Sequence, residues 1–118
     1  EGRSFGPHGT GLFIANSVEH YDEALSQELT QLTVTANLKM REMGFKPYVA
    51  PALSSGALSL LLTLRGEWHC GSVFLDGVYM GVKNRYTPAG VETELLPCIP
   101  DPLFAHIQEA AEHLKSIL

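Results

Sequence analysis

Apolar residues along this chain recur at two different spacings, and the changes between them mark its elements. Val18, Tyr21, Leu25, Leu29, Leu32, Ala36, Met40 and Met43 stand three or four positions apart, the stripe of a long amphipathic helix. Asn16, with Glu19 three residues on, predicts its N-cap, and Gly44 its stop. Asp22 and Glu23 suit the positive end of that helix, and Lys39 and Arg41 its negative end. Leu58, Leu60, Leu62 and Leu64 then alternate with Ser59, Leu61, Thr63 and Arg65, a period of two that predicts a strand with one buried face.

The segment Val73-Phe74-Leu75-Asp76-Gly77-Val78-Tyr79-Met80 is a hairpin signal. Asp-Gly favours the positive φ angles of a two-residue type I′ turn, which sets Leu75 opposite Val78, Phe74 opposite Tyr79 and Val73 opposite Met80. Gly66-Glu67 reads as a second hairpin turn of type II′, and that register lines Leu58, Leu60, Leu62 and Leu64 up with Val73, Leu75, Val78 and Met80 on one apolar surface. Residues 91–96 predict a further strand. Residues 12–15 and 45–49 are extended candidates that pair in parallel if the sheet is mixed. Asp101-Pro102 opens a C-terminal helix with the stripe Leu103, Ile107, Ala110, Ala111, Leu114, Ile117 and Leu118.

The expected fold is therefore α+β: a two-layer sandwich in which a long N-terminal helix and a C-terminal helix pack on an antiparallel or mixed sheet of three to five strands. Residues 11–118 form one domain. Residues 1–10, with Gly2, Gly6, Pro7 and Gly9 and little to bury, read as a flexible tail. The run Gly6-Pro7-His8-Gly9-Thr10-Gly11 is not a phosphate loop, because it precedes a strand candidate instead of joining a strand to a helix.

Composition narrows the partners. With 45% hydrophobic and 18% charged residues, the chain belongs among ordinary globular sequences, and 118 residues suffice for one core. A net charge of -5 with eight scattered basic residues argues against a nucleic-acid partner. The longest apolar run, around Leu60-Leu61-Leu62, is far short of a membrane span of about 20 residues. Cys70 and Cys98 permit one disulfide in a secreted or periplasmic setting, or two free thiols in the cytoplasm.

Candidate chemistry is sparse. His106 and His113 lie two turns apart on one helix, not the four residues that bring two imidazoles to one metal ion, so no metal site is expected. His69 and Cys70 are adjacent in a strand and point to opposite faces, which rules out a nucleophile–base pair. Glu92 and Glu94 share a strand face within reach of one water, but a solvated edge explains them more simply. No cofactor motif appears, and no catalytic residue is assigned.

The second face of the expected sheet is more informative. Arg65 and Trp68 flank Gly66-Glu67, close enough to stack, and Leu61, Phe74 and Tyr79 extend an apolar strip beyond them. Trp, Tyr and Arg are the residue types enriched at binding hot spots. The expectation is a non-enzymatic protein-interaction module, an adaptor, a chaperone or inhibitor, or an accessory domain of a larger assembly. It binds another protein or a second copy of itself through Arg65, Trp68, Phe74, Tyr79 and Leu61. The alternative is a small enzyme or ligand-binding protein with a pocket between helix and sheet, using His20, His69, Glu92 or Glu94.

Overall fold

Among the residues that the computed structural model describes, 2–46, 50–96 and 98–117, three helices accompany two antiparallel sheets, an α+β fold. Strands β1 (Arg3–Phe5) and β2 (Phe13–Ala15) form the first sheet, and β3 (His69–Leu75), β4 (Val78–Thr87) and β5 (Gly90–Thr93) the second. The helices are α1 (Glu23–Glu42), α2 (Ala50–Arg65) and α3 (Asp101–Ser116).

The stretch expected as a flexible tail supplies β1 instead. Its one large apolar residue, Phe5, is only 5% exposed and joins the core, which ties the strand down despite the glycines around it. β2 pairs antiparallel with β1, Phe5 opposite Phe13 and Arg3 opposite Ala15, in place of the expected parallel partner at residues 45–49. Residues 47–49 of that partner lie outside the described residues.

α1 starts at Asp22, not Asn16. The Asp22 carboxylate accepts from the Leu25 amide at 2.8 Å, a side-chain N-cap. Asn16 instead organises the loop before the helix: its Oδ1 accepts from the Asp22 amide at 2.9 Å and the Ser26 hydroxyl at 3.0 Å, and its Nδ2 donates to the His20 carbonyl at 3.0 Å. Only the first turns of α1 hold β2. Ser26, fully buried, accepts from the Asn16 amide, and Thr30 Oγ1 accepts from the Ile14 amide. Beyond Thr30 the helix runs out with most of its residues exposed.

The largest correction concerns residues 50–65, expected as a loop followed by a leucine strand and found as α2. A period of two in leucine also places Leu58 with Leu62 and Leu60 with Leu64 at helical i, i+4 spacing, so periodicity alone does not separate the two states. Propensity does. From Ser54 to Arg65 only Thr63 is β-branched, and leucine, alanine and arginine are strong helix formers. Pro51 sits in the first turn, where its missing N–H costs nothing.

Gly66 ends this helix and turns no hairpin. Its φ is +67°, its amide donates to Thr63 O at 3.1 Å, and the Glu67 amide donates to Leu62 O at 3.0 Å, the paired bonds of a Schellman motif. Gly44 closes α1 the same way, with bonds from Gly44 to Arg41 O and from Phe45 to Met40 O. The leucine stripe is therefore no part of the sheet.

The hairpin register agrees with the sequence at every pair from Val73↔Met80 to Leu75↔Val78, with positive φ at both Asp76 and Gly77. The core lies elsewhere than expected. Phe5, Phe13, Ala15, Val18, Leu103 and Ala110 make it, between the N-terminal hairpin and α3, with Met80, Leu96, Ile99 and Ile107 packed at its margin. β1 crosses β4 at Gly81, where a Cβ would stand 2.4 Å from the Ser4 carbonyl oxygen, so only glycine admits the crossing.

Candidate functional site

The five residues expected to bind a partner fall into three places. Phe74 and Tyr79 form a cross-strand pair on the β3–β4 hairpin, ring centroids 5.3 Å apart and tilted by 57°, at 60% and 67% exposure. Trp68 lies in the connection between α2 and β3, and its stacking partner is Arg85 of β4, with the guanidinium carbon 4.9 Å from the ring centroid; the expected Arg65 is not that partner. Arg65 and Leu61 stand exposed on α2.

The Phe74–Tyr79 pair borders an open groove of about 470 Å³ that Thr63, His69, Val73 and Tyr86 also line. Trp68 instead borders a separate cleft of about 600 Å³ with Lys83, Glu92 and Leu95. The expected single strip is thus two surfaces. They are parted because residues 58–65 form a helix beside the sheet and not its third strand.

The polar groups of the alternative reading are engaged with their neighbours. Glu92 takes Arg85 Nε at 2.8 Å and Nη2 at 2.7 Å. Glu94 takes Arg3 Nε and Nη2, both at 3.0 Å, and accepts the Lys83 amide as well. Burial pushes the Glu94 carboxyl up, but the Arg3 hydrogen bonds, the Lys83 amide and the two positive charges outweigh it and hold it below the usual carboxylate range. Each glutamate serves its own arginine, so the two do not share a water.

His69 Nδ1 lies 3.1 Å from Glu67 O and Nε2 3.0 Å from Thr63 Oγ1, while the Thr63 hydroxyl donates to Ser59 O at 2.9 Å. All three contacts are hydrogen bonds at once only when both ring nitrogens carry hydrogen. The arrangement fastens the end of α2 to β3. His20 is exposed in the loop before α1, its amide donating to Ser17 Oγ.

His106 and His113 do not converge on an ion. Among the described residues no group of three His, Cys, Asp or Glu side chains is placed to hold a metal. The His106 ring stacks on Phe13 at 4.1 Å, and its Nε2 meets Glu23 Oε1 at 2.9 Å; His113 packs over Gly11. Glu23 also receives the Tyr21 hydroxyl and Gln27 Nε2. Those hydrogen bonds, from Tyr21 first and His106 next, bring its carboxyl down to about 2, whereas burial and the same carboxylate push the Tyr21 phenol up. Cys70 and Cys98 are free, exposed thiols, not a disulfide.

What the sequence reading missed is the apolar surface of the helices. Leu58, Leu60 and Leu64 of α2 are 63%, 67% and 86% exposed, and Leu32 and Leu38 of α1, with Met43 at its C-cap, are exposed as well. The missed signal was composition: four alternating leucines with almost no β-branched residue among them. No family model and no curated protein matches this sequence.

Proposed function

We propose that this chain is an assembly domain, the accessory part of a larger complex, and that it works by burying the apolar faces of α1 and α2 against another folded protein. The observation that carries this reading is the leucine surface of α2. An isolated exposed leucine is ordinary, but several on one helix are the mark of a contact surface.

Area supports it. The chain exposes 8230 Å², whereas a folded monomer of 12.9 kDa exposes roughly 6,300 Å². The excess of about 1,900 Å² is more than the ~800 Å² that each partner contributes to a standard interface. The radius of gyration of 15.2 Å also exceeds the ~13.5 Å of a compact chain of this length. Leu61 and Arg65 stand exposed on the same helix and are the hot-spot candidates within this surface.

The test is the double variant Leu60→Glu/Leu64→Glu. Circular dichroism should be unchanged, because both side chains are already in water, while binding of an apolar dye and association with the partner fall sharply. A variant that binds dye and partner as the unaltered chain does would refute the reading.

A further inference from the structure

We propose that the free edge of β3 is a homodimer seam, where two copies join antiparallel about a two-fold axis at Ser72 and merge their three-stranded sheets into one. β3 is at the end of the strand order β3-β4-β5, so one of its edges has no ladder partner among the described residues. The hairpin turn decides which groups that edge offers. In a two-residue type I′ hairpin the flanking residues form a hydrogen-bonded pair, here Leu75 with Val78, and bonded pairs then alternate through Val73, Gly71 and His69. The N–H and C=O groups of Cys70, Ser72 and Phe74 consequently point outward, and all three residues are exposed.

The two edges of this sheet are unequal. β5 is four residues long and carries Glu92, the short, charged kind of edge that discourages pairing. β3 has seven residues in unbroken register with β4, without a proline, a bulge or an Asp, Glu, Lys or Arg. None of the usual devices that protect an edge is present.

A second copy fits this edge in one register. With Ser72 opposite Ser72 of the partner subunit, Cys70 meets Phe74 of the partner subunit and Phe74 meets Cys70 of the partner subunit. Every outward group of the three residues is then hydrogen-bonded, whereas any other register strands some of them. Charge permits it: each chain carries a net charge of -5, yet the seam places no like charges opposite one another. The cross-seam Cys70 and Phe74 positions also suit a sulfur–aromatic contact.

Ser72→Pro tests the seam selectively, since proline there removes an outward N–H and leaves the β3–β4 ladder whole. Ser72→Lys does so with an ordinary strand residue and covers the case in which the proline variant fails to fold. The unaltered chain should sediment at twice its 12.9 kDa, and both variants at the mass of one chain with unchanged circular dichroism. Hydrogen exchange at Cys70, Ser72 and Phe74 should be at least about tenfold faster in the Ser72→Lys variant, the mark of bonds lost at that edge. Leu60→Glu/Leu64→Glu should keep the doubled mass, which separates this seam from the helix surface. A single-chain mass for the unaltered protein, including one that pairs only with a strand from a different protein, overturns the proposal, as does a doubled mass that Ser72→Lys leaves intact.

Discussion

Arg3 and Glu94, 91 positions apart in sequence, meet in a two-pronged ion pair with both N–O distances at 3.0 Å and side chains only 8% and 15% exposed. Since Glu94 also accepts the Lys83 amide, one carboxylate joins the N-terminal hairpin to the end of the three-stranded sheet. Glu94→Gln leaves the guanidinium poorly matched and should lower stability by about 2 kcal/mol, the scale of a lost charge-assisted hydrogen bond. Urea unfolding of the two forms checks this.

The same pairs fix an acid limit. Glu23, at about 2, and Glu94 both have folded values below those of an unfolded chain, near 4.3. Their contribution is thus complete above that unfolded value and is lost as pH falls through the folded ones. The thermal midpoint should hold steady at neutral pH and decline below about pH 4.3, and Glu23→Gln should make that decline shallower. Melting curves across the acid range are the measurement.

Gly81→Ala sets a methyl group 2.4 Å from the Ser4 carbonyl oxygen, where the obstacle is backbone that cannot rotate away. The strand must shift, at a cost of about 1–3 kcal/mol, typical of overpacking. Denaturant midpoints would register the loss, together with increased exchange of the Ser4 and Phe5 amides.

Leucines at two sites should behave oppositely. Leu103 is fully buried, so Leu103→Ala removes core volume and should cost about 2–5 kcal/mol. Leu64 is 86% exposed, and Leu64→Ala should change stability of the isolated chain by less than about 0.5 kcal/mol. Paired unfolding curves decide it.

Local chemistry was the legible part of this sequence. Asp76-Gly77 fixed a hairpin register because its turn admits few backbones, and Asp101-Pro102 marked the beginning of α3 because proline fits a first helical turn. Gly66 misled because glycine at positive φ serves a hairpin and a helix end equally, and the leucine alternation beside it favoured the hairpin. Asn16 misled similarly, as a good cap that instead braces a loop. The core at Phe5, Phe13 and Leu103 was hidden because its residues meet only through long-range packing. The binding residues were visible by type, but their separation into two surfaces depends on α2 being a helix.

A photo-crosslinking side chain placed at Leu60 or Leu64, in the chain within its native assembly, tests the assembly reading most directly. The account predicts a discrete adduct from each position, mapped to one folded partner and absent from a control at exposed Glu112 of α3. Reaction with water alone at both leucines would contradict it.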